Sequence, residues 1–205
     1  MTHNPFDSLP EVDEPTTRRL HARLVSTATQ EGLLDIAYRT LDSPVGPLLL
    51  ATTTTGLIRV AFERQDHNAT LTSLATLISP RVLHAPAKLD PVARQLDEYF
   101  AGTRHHFDLP LDFRLSKGFR RAVLTHLPAI HYGTTESYAQ VATAAGSPKA
   151  VRAVGSACAT NPLPLIVPCH RVVRSDGSYG QYAGGETAKH TLLTLEATQA
   201  KTQQH

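Results

Sequence analysis

The hydrophobic pattern of the chain changes near residue 113, and this change limits the folds that the chain can adopt. Before it, short apolar segments alternate with turn residues, and residues 36–40, 46–52 and 57–62 are predicted to form strands of an antiparallel sheet. After it, apolar residues recur at helical spacing. This succession predicts an α+β protein in which a small α/β domain precedes a mostly helical domain.

Three segments are predicted: an N-terminal extension (1–34), a structural α/β domain (35–112) and a helical domain (113–205). Residues 1–16, rich in Pro, Asp and Glu, are expected to be mobile, and residues 17–33 favour a short amphipathic helix. Within the α/β domain, residues 69–78 and 91–100 are predicted helices and residues 107–113 a further strand. This domain contains no constellation of catalytic residues and is assigned a structural role.

The helical domain is predicted to open with an amphipathic helix and to continue with a helix-turn-helix. In the first helix, apolar residues recur every four positions with basic residues opposite them (Phe119, Val123, Leu127; Arg120, Arg121). Two short Ala/Val-rich helices, 137–145 and 149–159, are then separated by Gly146-Ser147-Pro148. In DNA-binding versions of this motif the second helix enters a groove. An ordinary helical hairpin packed in a core has the same pattern.

The basic residues are unevenly distributed along the chain. Residues 1–112 carry ten Lys/Arg against fourteen Asp/Glu, whereas residues 113–174 carry eight against one. Such an asymmetry indicates that the second half meets a polyanion. A solvated basic face is the alternative explanation.

The segment Pro168-Cys169-His170-Arg171 contains the candidate nucleophile. It follows the predicted strand 165–167 and precedes a glycine-rich stretch. The thiolate is the reactive form of cysteine, and basic neighbours are expected to lower the pKa of Cys169 toward neutrality. A lone cysteine in an apolar run is also often a small buried hydrophobe. Adjacent side chains of a strand point to opposite faces. For His170 to act as a base for Cys169, either the chain must bend after Pro168 or a water must bridge the two side chains.

Two further polar residues and one loop are candidates for the same site. Asn161 lies on a proline-rich turn that leads into the Cys169 segment, and its amide is able to bond backbone groups there. Glu196 lies in the last turn of a predicted helix, 187–197, where a carboxylate opposes the helix dipole and so indicates a partner. The glycine-rich loop 179–185 carries aromatic residues and suits a pocket wall.

Composition excludes several classes of protein. Two cysteines, Cys158 and Cys169, make a poor disulfide framework and no structural zinc site, and the histidines lack metal-ligand spacing, so no metal is predicted. No stretch is long and apolar enough for a membrane span, and the N-terminus lacks a secretory signal. A cytoplasmic location is therefore expected.

The segment Ile166-Val167-Pro168-Cys169-His170-Arg171-Val172 resembles the active-site signature of the O6-alkylguanine-DNA alkyltransferases. The resemblance covers most of residues 113–197 in order, through Tyr138, Arg152-Ala153-Val154-Gly155, Asn161, Tyr182, Gly184-Gly185 and Glu196. The earlier strand pattern resembles the family's N-terminal ribonuclease H-like domain more loosely. Residues 1–34 are not covered. Leu124 and Ala183 depart from the family pattern, at positions where many relatives have tryptophan and some have serine.

The resemblance implies direct DNA repair by an irreversible, single-turnover transfer of the alkyl group from O6-alkylguanine to Cys169, without a cofactor. In the family His170 activates Cys169 through a water, Glu196 orients His170, and Asn161 braces the turn. O4-alkylthymine is left open as a second substrate.

The resemblance also implies how double-stranded DNA is bound. Arg152 fills the place of the extruded base, Tyr138 helps to rotate the nucleotide, and the recognition helix lies in the minor groove. The expected DNA-binding residues are Arg152, Tyr138, Ala153, Gly155 and Arg171, and the expected pocket residues are Tyr182, Ala183, Gly184 and Val172. A monomer is expected in solution, with cooperative assembly on DNA and the preferred alkyl group left open.

Two other functions compete with this interpretation. A non-enzymatic DNA-damage binder would lack a reactive cysteine, so the presence of Cys169 speaks against it. A Cys–His hydrolase such as a peptidase would turn over repeatedly and would need neither the helix pair nor the basic half.

Overall fold

The computed structural model describes residues 13–202, and the side chains of residues 13–200. By internal contacts the chain divides into a unit that ends at Leu34 and a unit that starts at Asp35. The described part of the first unit is mainly helix α1, Glu14–Gln30, whose N-cap residue Asp13 accepts a hydrogen bond from the Thr16 amide. The predicted helix is thus confirmed with an earlier start. The expected mobility of residues 1–16 mostly concerns residues outside the described range.

The second unit begins with a four-stranded sheet. Its strands are β1 (Ile36–Leu41), β2 (Leu48–Thr52), β3 (Leu57–Phe62) and β4 (Val82–His84), in the order β3-β2-β1-β4. The first three are antiparallel neighbours, as predicted, and β4 runs parallel to β1. With only three residues, β4 is too short for its pattern to be recognised in the sequence.

The predicted strand 107–113 is wrong. The segment makes a single β-bridge between Leu111 and Leu57, in which the Leu57 amide donates to the Pro110 carbonyl. Because Pro110 has no N–H group, it cannot extend a ladder. The two predicted helices of this part are confirmed as α2 (His67–Leu77) and α3 (Asp90–Phe100).

The remainder of the unit is mostly helical, as predicted. It contains α4 (Gly118–His126), α5 (Tyr138–Ala144), α6 (Val151–Ala159), α7 (Gly185–Thr202) and a short parallel pair, β5 (Glu136–Ser137) with β6 (Val172–Val173). Helix α5 starts with a capping box, in which Ser137 and Gln140 exchange side-chain to backbone hydrogen bonds. Helices α5 and α6 pack on each other across a turn at Gly146, where φ is +77°.

Residues 165–167 form turns, so the predicted strand there is wrong. Leu165 has a left-handed φ of +73°, and the Val167 amide donates to the Leu163 carbonyl at 2.8 Å. Pro162, Pro164 and Pro168 border these residues, and a proline has no backbone donor for a ladder. A 3₁₀ turn, Cys169–Arg171, follows directly. The expected bend after Pro168 is therefore present, and Cys169 and His170 do not lie on opposite faces of a strand.

One hydrophobic core extends through both parts of the second unit. It joins residues of the sheet and of α3 to residues of α4, α5, α6 and α7 (Leu50, Val60, Leu96, Tyr99, Val123, Val141, Val154, Leu192). A backbone hydrogen bond of 2.8 Å from Val60 to the Pro162 carbonyl also links β3 to the segment after α6. The division near residue 112 stays a prediction about domains, because residues 35–202 pack as a single unit.

Candidate active site

Cys169 lies inside the protein, with an exposed fraction of 1%. The side-chain amide of Asn161 donates to Sγ of Cys169 at 3.1 Å and to the carbonyl of Val167 at 2.9 Å. The Asn161 carbonyl oxygen in turn accepts from the Leu163 amide at 2.9 Å. The one side chain therefore fixes both ends of the turn that carries the thiol.

The acidity of Cys169 differs from the expectation. Burial raises the pKa of Cys169 to about 11, and the Asn161 hydrogen bond and the nearby Lys189 only partly oppose this effect. The expected lowering toward neutrality is not found, because His170 and Arg171 direct their polar atoms toward Glu196. The thiol needs a base that removes its proton as it reacts.

The candidate for that base is His170. It is fully buried, and its Nε2 lies 2.8 Å from Oε1 of Glu196. Burial lowers the pKa of His170, although Glu196 opposes the shift, so the imidazole is neutral near pH 7. A neutral ring that donates from Nε2 to the carboxylate leaves a lone pair on Nδ1. Nδ1 is buried and has no hydrogen-bond partner within the described part of the chain.

Glu196 is the centre of a buried network of donors. It is 1% exposed and accepts from His170, from the Tyr99 hydroxyl at 2.7 Å, from Arg171 at 2.9 and 3.0 Å and from the Gly133 amide at 3.2 Å. Burial alone would raise the pKa of Glu196, but the hydrogen bonds from His170 and Arg171 and the charge of Arg171 hold it well below its usual range. The carboxylate is therefore ionised and held in one orientation.

The predicted contact of Arg171 with DNA does not agree with its position in the structure. Its exposed fraction is 5%, and its guanidinium donates to both oxygens of Glu196 and, at 2.6 Å, to the carbonyl of Ile130. Its Cζ also lies 5.6 Å from the centre of the Tyr132 ring. A side chain enclosed in this way cannot reach a DNA phosphate, so Arg171 positions the carboxylate instead of contacting DNA. The sequence indicated a basic residue but not the direction in which it points.

The predicted pocket residues are only partly brought together. Tyr182 and Ala183 line a cavity of about 520 Å³ that also includes Gly180 and Arg174. The Tyr182 ring lies edge-on to the His170 imidazole, with centroids 6.2 Å apart, so Tyr182 both lines the cavity and neighbours His170. Cys169, Gly184 and Val172 are not among the lining residues of this cavity.

Gly184 and Val172 have packing roles instead. A Cβ atom on Gly184 would lie 2.7 Å from the Phe62 ring, which explains why only glycine fits there. Val172 is fully buried, and its carbonyl accepts a hydrogen bond of 2.5 Å from Nζ of Lys189.

Two residues of the site were missed in the sequence. Tyr99 belongs to α3, in the part that was assigned only a structural role, and lies 97 positions before Glu196, so no local signal connects the two. Lys189 is fully buried and lies two helical turns before Glu196 on α7, close enough to interact electrostatically with the thiol of Cys169. Its spacing from Glu196 could have indicated a shared face of the helix.

We expect Lys189→Met to slow the reaction of Cys169 with iodoacetamide roughly tenfold at pH 7. Loss of the ammonium removes a group that favours the thiolate, and a tenfold change corresponds to about 1.4 kcal/mol. The modification rate of Cys169, followed by peptide mass spectrometry, measures the effect. Lys149→Met, at an exposed position, is the control. An unchanged rate in Lys189→Met would mean that Lys189 serves packing alone.

The candidate DNA-binding residues lie on and next to α6. Arg152 and Ala153 are exposed in its first turn, whereas Gly155 and Tyr138 are half-buried and face each other, with 3.9 Å between a Gly155 Cβ position and the Tyr138 ring. Burial raises the pKa of Tyr138 to about 12. A Cβ atom on Gly180 would overlap the Tyr138 hydroxyl at 2.0 Å, so a larger residue there would displace the Tyr138 ring.

Within residues 13–200, no three metal-binding side chains lie close enough to hold an ion, and Cys158 and Cys169 are both unpaired thiols. Each helix within residues 13–202 is too short or too polar to span a membrane.

Comparison with known proteins gives two family matches. Residues 36–113 match the model of the 6-O-methylguanine DNA methyltransferase ribonuclease-like domain, and residues 118–198 match that of the DNA binding domain of the same family.

Several characterised proteins are similar over most of the chain. The methylated-DNA–protein-cysteine methyltransferase of Mycobacterium tuberculosis is 40% identical over 171 residues, which are 80% of this chain and 94% of the relative. The constitutive enzyme of Bacillus subtilis is 39% identical over 165 residues, 78% and 94% of the two chains. The bifunctional transcriptional activator and DNA repair enzyme Ada of Escherichia coli is 40% identical over 167 residues, 80% of this chain but 46% of Ada.

Solved structures agree with these matches. The M. tuberculosis OGT in complex with DNA superposes with a TM-score of 0.70 at 37% identity, covering 80% of this chain and 94% of the other. The O6-methylguanine-DNA methyltransferase of Pyrococcus kodakaraensis gives a TM-score of 0.56 at 25% identity, covering 78% and 98%.

Proposed function

The chain belongs to the 6-O-methylguanine DNA methyltransferase family, and from this we propose that Cys169 is the residue that accepts the alkyl group. The activity is that of a methylated-DNA–protein-cysteine methyltransferase, which repairs DNA by alkyl transfer to a cysteine. The observation that supports Cys169 is its place in the Asn161–Cys169 turn beside the His170–Glu196 pair. The other cysteine, Cys158, lies in α6, and burial holds its pKa far above the usual range.

In the proposed step, the Cys169 thiol passes its proton through one bridging water to Nδ1 of His170. The sulfur attacks the alkyl carbon, the S–C bond forms and the C–O6 bond breaks. The electron pair of that bond leaves with guanine O6, and the proton on His170 neutralises the departing base. The thioether has no route back to a thiol at this site, so each molecule reacts once.

Glu196 makes this transfer favourable. As His170 takes the proton it becomes a cation, and a carboxylate 2.8 Å from Nε2 stabilises that charge in a buried setting. The network from Tyr99, Arg171 and Gly133 keeps Glu196 ionised and pointed at the ring, so the site needs no cofactor to activate the thiol.

The burial of Cys169 also bears on how the substrate arrives. A guanine in a duplex cannot bring its O6 atom to a sulfur that is 1% exposed, so the base must leave the stack. We assign α5 and α6 as the helix-turn-helix that binds the minor groove, with small residues such as Ala153 and Gly155 allowing close approach. Arg152 then offsets the lost stacking, and Tyr138 guides the rotating nucleotide.

This function is tested by incubation with a duplex that contains O6-methylguanine. Intact-protein mass spectrometry should show the addition of one methyl group per molecule, and peptide mapping should locate it on Cys169. A protein that stays unmodified with excess lesion DNA, or that carries the methyl group elsewhere, would refute the assignment. Monomeric state, cytoplasmic location, activity on O4-alkylthymine and cooperative assembly on DNA stay predictions.

We expect Arg152→Ala to slow the repair of duplex DNA roughly tenfold or more while leaving the reaction with free O6-alkylguanine base within about twofold. Only the duplex reaction requires a side chain in the gap left by the base, whose unstacking costs a few kcal/mol. Single-turnover rates with both substrates measure the effect. Arg94→Ala, at an exposed position of α3, is a control that also removes one positive charge. Equal losses with both substrates would count against the wedge role.

A further inference from the structure

A second cavity, of about 330 Å³, lies where the sheet, α2, α4 and the end of α6 meet. Unlike the Tyr182 cavity, it is lined by leucine side chains, those of Leu74, Leu77 and Leu115. Its lining combines two arginines, an amide, three hydroxyl groups and apolar residues (Arg59, Gln65, Ala69, Thr70, Ser73, Leu74, Leu77, Leu115, Arg120, Thr160, Pro162). None of these side chains is acidic.

Arg59, on β3, has an unusual environment for a half-buried arginine. Within the described residues its guanidinium makes no hydrogen bond or ion pair, and its Nε is fully buried. The other partly buried arginines of the same part of the chain are paired: Arg39 with Asp90 at 2.8 Å, and Arg104 with Glu98 at 2.6 Å. Burial also lowers the pKa of Arg59 below its usual value. A cation in this position is stabilised by an anion that enters the cavity.

Further donors surround the same space. Gln65 accepts the Phe62 amide on its Oε1 at 3.0 Å, which leaves its NH₂ group available as a donor. Arg120 adds a second guanidinium from α4, and Ser73 adds a hydroxyl group from α2. Two guanidinium forks with an amide and a hydroxyl donor match an anion with several oxygens, because arginine binds such groups in bidentate geometry.

We propose that this cavity binds a phosphate group, held between Arg59 and Arg120. The apolar wall of Leu74, Leu115 and Pro162 suits the sugar or base that a phosphate carries. Two sources share this chemistry: a backbone phosphate of bound DNA and a free nucleotide or inorganic phosphate. The site stands independently of the reaction of Cys169.

The cavity adjoins the segment that holds the active-site turn. Thr160 and Pro162, which line the cavity, flank Asn161, the residue that holds the Cys169 turn. The Pro162 carbonyl also accepts the backbone hydrogen bond from Val60, next to Arg59. A phosphate between Arg59 and Arg120 therefore braces the joint between β3 and the segment that carries Asn161.

The first experiment uses inorganic phosphate as the probe. Isothermal titration at constant ionic strength, with chloride as the reference anion, should give saturable binding to the whole protein. Arg59→Gln and Arg120→Gln should each weaken this binding at least tenfold, whereas Arg121→Gln, on the same helix but outside the cavity, should not. Circular dichroism checks folding, and Arg120→Gln, at an exposed position, retains the test if Arg59→Gln is unstable. Equal affinity in all variants, or no saturable binding to the wild type, would overturn the proposal.

The second experiment separates the two sources. Each backbone phosphate contact contributes a slope of about −0.9 to the dependence of log K on log salt concentration for duplex DNA. If DNA supplies the phosphate, Arg59→Gln should reduce the slope by about that amount. If the slope is unchanged while phosphate binding is lost, a free phosphate compound is the ligand. Reaction of the wild type with free O6-alkylguanine base in phosphate-free buffer tests alkyl transfer by itself, and its absence would refute that mechanism without bearing on phosphate binding.

Discussion

Cys169→Ser should abolish alkyl transfer completely while the protein still folds and binds lesion-bearing DNA. A serine hydroxyl is a far weaker nucleophile than a thiolate, and His170 with a lowered pKa is not basic enough to ionise it. The substitution is nearly isosteric, and the Asn161 amide keeps an acceptor in place of sulfur. The measurement is intact-protein mass after prolonged incubation with an O6-methylguanine duplex, together with an electrophoretic mobility assay for binding.

The chain contains its own matched control for this prediction. Cys158 is also buried and unpaired, but it lies on α6 and not on the turn that the Asn161 amide holds. Cys158→Ala should therefore leave the methyl adduct on Cys169 at full stoichiometry. A methyl adduct on Cys158 in the Cys169→Ser protein would show that the nucleophile had been misassigned.

Arg171→Ala should destabilise the protein by about 3–5 kcal/mol, the usual cost of removing one partner from a buried ion pair. The substitution leaves the Glu196 carboxylate without its two guanidinium hydrogen bonds in a site that is 1% exposed, and it also removes the bond to the Ile130 carbonyl. Urea denaturation at pH 7 gives the change in the free energy of unfolding. Alkyl transfer should fall as well, because the same carboxylate orients His170.

Two further variants test whether the buried ion pair is the source of the stability lost in Arg171→Ala. Arg81→Ala breaks an exposed pair with Asp35, whose atoms are 2.7 Å apart, and should cost less than about 1 kcal/mol. The double variant Arg171→Met with Glu196→Gln should recover part of the stability, since no unpaired charge stays buried. If Arg171→Ala and Arg81→Ala had equal effects, the buried network would not be the source of stability that its geometry indicates.

The pH dependence of stability should identify Glu196 in the same experiment. Its folded-state pKa is held below the unfolded value of about 4.5, so its contribution is fully present above that pH and is lost as the pH falls through the folded pKa. The stability difference between the wild type and Glu196→Gln should therefore narrow as the pH is lowered from 7 toward 3. A constant difference over that interval would mean that Glu196 is not charged in the folded protein.

The elements with strong periodic patterns could be predicted from the sequence. Strands β1, β2 and β3 and helices α2, α3 and α4 lie close to their expected bounds, because their apolar spacing and turn residues agree. Residues 165–167 have an equally apolar composition but form turns. There, Asn161 ties Val167 and Cys169 together through side-chain hydrogen bonds, a tertiary constraint that no local pattern records.

The sequence predicted which residue types form the site, but not the directions in which their side chains point. Cys169, His170, Asn161 and Glu196 were singled out, and the structure brings these four together. Arg171 was expected to contact DNA because of the family resemblance, whereas it is buried and bonded to the Glu196 carboxylate. The contributions of Tyr99 and Lys189 depend on packing between distant segments, which hydrophobic spacing alone does not specify.

Two features join the later helices to the earlier part of the chain. The Tyr99 hydroxyl donates a hydrogen bond to Glu196, and β3, α3 and the later helices share one hydrophobic core. A protein of residues 113–205 alone would expose the apolar surface that packs against the sheet and α3. Its Glu196 carboxylate would also lack the hydrogen bond from Tyr99. We therefore expect the repair activity to require one continuous segment that starts near residue 35. The matching stretch in E. coli Ada, 167 residues long and 46% of that protein, has the length of such a segment.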